Sequence, residues 1–231
     1  MKKFLSYFSP FERGLWLLST IAVVLSFLLG KDSYPLTLIA SLVGVSALIL
    51  IAKGNVIGQF LTVAFSILYA IVSLRFRYYG EMITYLFMSA PAAVFACVSW
   101  IRNPAQKGKN EVKVGTMTIK KWLAVSLIAL ITTIVFYFIL RRFNTENLIP
   151  STLSITTSVF AAVLLFLRSR FYAIAYALND VVLIVLWVLA SFSSISYLPM
   201  VICFFAFLAN DLYAFYNWKK MQLRQNASTQ F

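Results

Sequence analysis

The stretch FYAIAYALNDVVLIVLWVLASFSSISYLPMVICFFAFLANDLYAFYNW (171–218) lies between Arg170 and Lys219 and contains two charged residues, Asp180 and Asp211. A helix of about 20 apolar residues crosses the hydrocarbon core of a bilayer, so this stretch has room for two spans. Ser193-Ser194-Ile195-Ser196, followed by Pro199, marks the turn between them. The fold class that follows is an all-α polytopic membrane protein.

Working outward, charged residues delimit six more apolar runs. Arg13 to Lys31 encloses a first, short one that could partly lie in the interface, and Asp32 to Lys53, Lys53 to Arg75 and Glu81 to Arg102 enclose the next three. Lys121 to Arg141 and Glu146 to Arg168 complete eight transmembrane helices. With the N-terminus inside, the cytoplasmic side receives Lys2, Lys3, Arg13, Lys53, Arg102, Lys107, Lys109, Lys113, Lys120, Lys121, Arg168, Arg170, Lys219, Lys220 and Arg224. The outer side receives Lys31, Arg75, Arg77, Arg141 and Arg142. Fifteen against five obeys the positive-inside rule and predicts that both termini are cytoplasmic. Trp16, Trp100, Trp122 and Trp218 are then expected in the inner aromatic belt.

Composition agrees. Of 231 residues, 61% are hydrophobic and 12% charged, about half the charged share of a soluble domain. The net charge of +13 sits in loops, not on a polar surface of the kind that binds nucleic acid. Cys97 and Cys203 lie inside apolar runs, which gives neither a disulfide framework nor zinc spacing. The chain has no histidine, so the commonest metal ligand and proton shuttle is missing. No cofactor is implied. With few acids and no nucleophile–base set, enzymatic chemistry is not expected. The N-terminal MKKFLSYFSPFERG lacks a cleavage pattern and reads as a retained segment.

Sliding the chain on itself by 118 residues pairs Tyr79 with Tyr197, Met82 with Met200, Phe87 with Phe205, Ala96 with Ala214 and Trp100 with Trp218. The same offset lays spans two to four on spans six to eight. Two three-helix units can point the same way only if an odd number of helices joins them, and span five is that linker. Parallel repeats are a transporter architecture, with the solute near the midplane between them. The expected organisation is an N-terminal segment and first helix (1–33), a first repeat (34–102), a basic cytoplasmic loop and linker helix (103–145), a second repeat (146–220) and a polar cytoplasmic tail (221–231).

Span three carries Asn55, Gln59, Thr62, Ser66, Tyr69 and Ser73 at intervals of three or four, one polar face on an apolar helix. Span seven carries Tyr172, Tyr176, Asn179, Asp180 and Trp187 on a similar face. Under the 118 offset Thr62 meets Asp180 and Tyr69 meets Trp187, so both stripes should face the axis and line a cavity. Asp180 lies roughly 15 Å into its helix, near the midplane. A carboxylate there costs at least about 2.5 kcal/mol, and the spans hold no Lys or Arg to pair with it or with Asp211. Both acids therefore read as protonated, hydrated or paired with a cation from outside. Glu81 suits the N-terminus of span four through the helix dipole, with Tyr85 and Ser89 continuing its face inward. Trp187 is expected either in the outer belt or stacked on a flat, cationic ring.

Gly58-Gln59-Phe60-Leu61-Thr62, Tyr79-Gly80-Glu81-Met82 and Ser99-Trp100-Ile101-Arg102-Asn103-Pro104 resemble the PnuC family of nicotinamide riboside transporters. So do Asn179-Asp180, Tyr197-Leu198-Pro199-Met200, Asn210-Asp211 and Asn217-Trp218-Lys219-Lys220. The resemblance covers spans two to eight. It implies a three-plus-one-plus-three fold like a fused SWEET protein, in a cell inner or plasma membrane. It also implies facilitated diffusion of unphosphorylated nicotinamide riboside, which a cytosolic ribosylnicotinamide kinase then traps, and homo-oligomers. Related carriers take thiamine, riboflavin or a nucleoside. The family's binding helix has tryptophans four and seven residues before an asparagine; here Asn179 follows Ala175 and Tyr172. Asp211, Ala214 and Trp218 stand where relatives tend to have Asn, Gly and Trp. The substrate-binding residues expected are Gln59, Thr62, Tyr69, Tyr85, Tyr172, Tyr176, Asn179, Asp180, Trp187, Asn210 and Asp211.

Overall fold

Among the residues that the computed structural model describes (7–29, 34–75, 79–106, 108, 110–145 and 147–228), eight helices are long and apolar enough to cross a membrane. Lys2, Lys3, Lys31, Asp32, Arg77, Lys107, Lys109 and Glu146, used above as charge or boundary markers, lie outside the described residues. The helices are α1 (Pro10–Leu29), α2 (Pro35–Ala52), α3 (Ile57–Arg75), α4, α5 (Ile119–Arg142), α6 (Leu148–Phe166), α7 (Tyr172–Ser191) and α8 (Leu198–Ala227). Helix α4 is built of Tyr79–Thr84, a wider π-helical turn Tyr85–Ser89, and Ala90–Ile101. No strand occurs among the described residues, only the isolated bridges Asn55–Glu111 and Pro104–Val112.

Six helices close a ring. α2 packs on α3, α3 on α4, α4 on α6, α6 on α7, α7 on α8, and α8 returns to α2. α1 lies outside against α2 and α8, and α5 outside against α6. Lipid gives apolar helices no reason to prefer each other, so small residues that let backbones approach carry the packing. Ala52, Ala96, Ala161, Ala173 and Ala214 are buried in one such cluster. A Cβ on Gly58 would come within 2.7 Å of the Ile51 backbone nitrogen, which is how closely α3 folds back on α2. The peripheral α5 buries only Val125, Ala129 and Leu140.

The turns between α2 and α3 and between α6 and α7 share one hydrogen-bond pattern. Gly54 N–H donates to Ile51 O at 2.8 Å, Asn55 N–H to Leu50 O at 2.9 Å, and Gly58 N–H to Asn55 O at 2.9 Å. Adding 114 gives Arg168 to Leu165 at 2.9 Å, Ser169 to Leu164 at 2.9 Å and Tyr172 to Ser169 at 3.1 Å. The Asn55 side chain accepts from Ile57 N–H at 3.0 Å, and that of Ser169 from Phe171 N–H at 3.4 Å. Both turns place a left-handed residue at the bend, Gly54 (φ 65°) and Arg168 (φ 57°). The 103–118 loop then serves both, Val112 N–H donating to Gly54 O and Gly115 N–H to Arg168 O, each at 2.9 Å. The recurrence is thus 114 at these turns and 118 at the tryptophans. Four residues are about one helical turn, so the faces compared above are unchanged while the pairing moves: Ser66 now matches Asp180, and Thr62 matches Tyr176.

Several expectations differ from what is observed. Helix α1 starts at Pro10, before Arg13, because Ser9 and Glu12 cap it reciprocally: Ser9 N–H donates to Glu12 at 2.6 Å and Glu12 N–H to Ser9 Oγ at 3.2 Å. Asn55 belongs to a turn rather than to α3. The polar tail continues α8 to Ala227, since Met221 is buried and Gln225 binds Val114 N–H, Val112 O and Glu111. Trp100 and Trp218 are not belt residues. They are 2% and 0% exposed, and their indole N–H groups cap the ends of neighbouring helices: Trp100 donates to Leu165 O at 3.2 Å and Trp218 to Ile51 O at 2.9 Å.

Candidate functional site

Inside the ring lies a cavity of about 90 Å³, walled by α2, α3, α4, α6, α7 and α8. Helix α3 contributes Thr62, Phe65 and Ser66, and α7 contributes Tyr172, Tyr176, Asn179 and Asp180. Helix α8 adds Phe204, Phe207 and Asp211, α6 adds Ser158, and α4 adds Tyr85 and Ser89. These last two bound the π-helical turn. Pro91 has no N–H and its ring crowds the carbonyl of residue 87. The helix widens instead, and Ala90 N–H reaches back five residues to Tyr85 O. π-turns of this kind often sit at functional sites because they re-aim side chains.

Aromatic clusters extend from the cavity's lining rings Phe65, Tyr85 and Tyr172. Towards the start of α4, Tyr69 lies 5.5 Å from Phe65 and 4.2 Å from Tyr85 (ring centroids), and Trp187 lies 5.8 Å from Tyr197. Towards the basic end, Trp218 lies 4.9 Å from Tyr172 and 5.4 Å from Trp100. Small-molecule pockets begin at roughly 300 Å³, so a nucleoside-sized solute fits only if these walls part.

The two acids meet here. Asp180 of α7 and Asp211 of α8 are each 3% exposed and line the same cavity. Asp180 Oδ2 and the Tyr172 hydroxyl are buried with no hydrogen-bond partner. No Lys or Arg lines the cavity. The amide oxygen of Asn179 is committed to α6, accepting from Thr157 at 2.8 Å, Ser158 at 3.0 Å and Ser154 at 3.3 Å. Among the described residues, no group of three His, Cys, Asp or Glu could hold a metal ion.

Of the residues singled out by sequence, Thr62, Tyr85, Tyr172, Tyr176, Asn179, Asp180 and Asp211 line this cavity. Four do not. Gln59 is fully buried in the first turn of α3, with both amide atoms unpartnered. Tyr69 and Trp187 stand beside one another in the aromatic cluster above the cavity. Asn210 points the other way, donating to Ser19 Oγ of α1 at 3.0 Å and to Ala206 O at 2.7 Å. The cavity is also lined by Phe65, Phe204 and Phe207, which in sequence look like ordinary span residues. Ser158 was missed too, having the polarity of a helix-packing serine, whereas Ser66 and Ser89 stand on the polar faces read from the sequence.

Residues 34–220 match the family model described as nicotinamide mononucleotide transporter. The chain belongs to this family. Two curated relatives, each named nicotinamide riboside transporter PnuC, are 26% identical to it. The one from Neisseria mucosa aligns over 218 residues, 92% of this chain and 82% of the relative. The one from Haemophilus influenzae aligns over 227 residues, 97% and 96%. The crystal structure of the vitamin B3 transporter PnuC superposes with a TM-score of 0.80 at 24% identity, covering 94% of each chain. The fold is therefore that of a multi-pass membrane transporter, and the resemblance read from the sequence is to the family that the match identifies.

Proposed function

We propose that this protein carries nicotinamide riboside across the membrane, binding it in the cavity between α3, α4, α7 and α8. The observation that carries the reading is this cavity, whose phenols, hydroxyls and two carboxyls suit a flat cationic ring with a hydroxylated sugar. The solute named for both curated relatives supports it. Thr62, Tyr85, Tyr172, Tyr176, Asn179, Asp180 and Asp211 would touch the solute. Gln59, Tyr69, Trp187 and Asn210 would hold the walls.

Transport is by facilitated diffusion along the solute's own gradient, and a cytosolic ribosylnicotinamide kinase keeps that gradient inward. Both termini face the cytoplasm of a cell inner or plasma membrane, as the charge count supports. Helices α2–α4 and α6–α8 are two parallel repeats joined by α5, a reading supported by the recurring turn hydrogen bonds and the reciprocal tryptophan caps. The protein assembles with further copies of itself, as the resemblance implies. A second reading, thiamine, riboflavin or another nucleoside as the solute, is favoured by Ala175 and Tyr172 standing where the family's binding tryptophans are expected.

Uptake into proteoliposomes, competed with this panel, tests the proposal. Nicotinamide riboside should compete best, and uptake should run beyond equilibrium only when kinase and ATP are enclosed. If thiamine competes and nicotinamide riboside does not, the second reading replaces the first.

A further inference from the structure

We infer that the groove between α4, α5 and α6 holds one chain of an anionic phospholipid, and that this lipid backs the wall of the solute cavity. The lipid half of the inference stands whatever solute is carried. Helices α4 and α5 each pack on α6 but barely on one another. The gap between them is a groove of about 570 Å³, lined by one stripe from each helix. Its lining is apolar apart from Lys121 and Thr132, both on α5. Phe87, Phe95 and Phe166 stand exposed along it.

Depth and charge name the occupant. The three helices keep one register, with Phe95, Lys121 and Leu167 at the basic end of the groove and Met88, Thr132 and Val159 at its deep end. From Lys121 to Thr132 is about 16 Å along α5 at about 1.5 Å per residue. That is the depth of one leaflet, half of a hydrocarbon core of about 30 Å. An acyl chain entering from the basic interface therefore runs the length of the groove. Met88 marks the deep end, packing on the cluster of Ala129, Leu140, Ile155 and Val159 that joins α5 to α6. At the mouth, Lys121 Nζ donates to Thr116 O at 2.7 Å, which leaves two of the three ammonium protons for another acceptor. The ion pairs among the described residues are Glu12 with Lys53 and Glu111 with Arg224, so Lys121 keeps its charge without an acidic partner. Lys120 stands beside it, exposed, and no acid lines the groove. Two cations without an acid suit a headgroup of net negative charge better than a zwitterion.

The groove also shares a wall with the cavity. Ala92 of α4 and Ala162 of α6 line both, so at these two positions only a methyl group separates lipid from solute. The π-helical turn divides its side chains the same way, Tyr85 and Ser89 to the cavity, Met88 and Phe87 to the groove. A chain in the groove thus bears on the outer side of the turn that aims Tyr85.

Native mass spectrometry of the full-length protein, delipidated and titrated with phosphatidylglycerol or phosphatidylcholine of the same chains, tests the site. One phosphatidylglycerol per chain should bind about fivefold more tightly than phosphatidylcholine, the worth of about one interfacial lysine. Lys121→Gln should erase that preference, and Lys219→Gln, at the same end but outside the groove, should keep it. Ala124→Trp, which puts an indole into the groove, should exclude both lipids. Calorimetry should show nicotinamide riboside affinity rising about fivefold when phosphatidylglycerol is restored, a typical coupling between two sites, and not rising in Ala124→Trp. Equal binding of the two lipids, or a preference that survives Lys121→Gln, overturns the site. So does cross-linking of Ile128→Cys between copies with no lipid bound, which gives the groove to a second copy. A solute affinity indifferent to the lipid overturns the coupling to the cavity. Where Ala124→Trp fails to fold, the two lipids compared on the unaltered protein and on Lys121→Gln decide. If nicotinamide riboside binds under no lipid condition, the substrate reading falls, and the lipid titration still decides this one.

Discussion

Glu12 shows how much one side chain can hold. It is 3% exposed, caps its own helix through Ser9, receives both Lys53 Nζ contacts at 2.9 Å and accepts from the Tyr213 hydroxyl at 2.7 Å. One carboxylate thereby ties α1, the end of α2 and α8. Glu12→Gln keeps a capping side chain but loses the carboxylate charge that pairs with Lys53, at a cost of about 1–3 kcal/mol. Glu12→Ala loses the cap as well and should cost about 1 kcal/mol more. Thermal unfolding in detergent should rank unaltered protein, Gln and Ala in that order; equal midpoints would show that the cluster contributes nothing. The sequence did not announce this residue. Glu12 sits next to Arg13 and reads as a loop charge, because its partners are 41 and 201 positions away. Asp180 was legible for the opposite reason: a carboxylate ten positions into an apolar span has no local explanation.

At the scale of the element, helix existence was legible and helix detail was not. Apolar length and flanking charge specify eight spans, since lipid leaves a helix no other way to satisfy its backbone. The π-turn in α4 was missed, although Pro91 is visible in the sequence, because a proline predicts a kink and not which carbonyls adapt. Pro91→Ala restores the missing N–H and allows the turn to close to ordinary α geometry. Removing one residue of bulge rotates what precedes it by about 100°, which carries Tyr85 off the cavity. Solute affinity should fall about tenfold or more while the thermal midpoint holds or rises. An unchanged affinity would mean that the turn survives without proline.

For the whole molecule, the reciprocal tryptophans make a prediction about the two halves together. Trp100→Phe and Trp218→Phe each remove the indole donor from a helix-end carbonyl that keeps its turn N–H bond, from Arg168 to Leu165 O and from Gly54 to Ile51 O, at a cost of about 0.5–1.5 kcal/mol. The rings touch with centroids 5.4 Å apart and planes tilted by 50°, so the double variant should depart from additivity by about 0.5 kcal/mol or more. Strict additivity in unfolding midpoints would mean that the two caps act independently. The ring closure of α8 on α2 and of α4 on α6 was not read from the sequence, because an offset pairs spans by likeness and not by contact. The single 118 offset hid the change to 114, because apolar helices align with themselves one turn out of step almost as well as in step. The cavity's phenylalanines were hidden too, since a lining Phe and a lipid-facing Phe are the same letter.

A second whole-molecule test falls on the loop. A Cβ at Gly115 would meet Leu167 O at 2.3 Å, so Gly115→Ala should push the segment off Arg168 and lower stability by about 1–3 kcal/mol. A midpoint identical to that of the unaltered protein would show that this backbone bond carries no weight.

Residues 112 and 115, three apart on one extended segment, each hold a different turn by its bend carbonyl. A clasp of that kind makes the basic end the fulcrum. The two sets of helices can splay at the far end by tilting about it, with both backbone bonds intact. Splaying at the basic end must first unfasten at least one of them. The two ends of the bundle are therefore expected to differ in the cost of opening, the end away from the clasp being the cheaper.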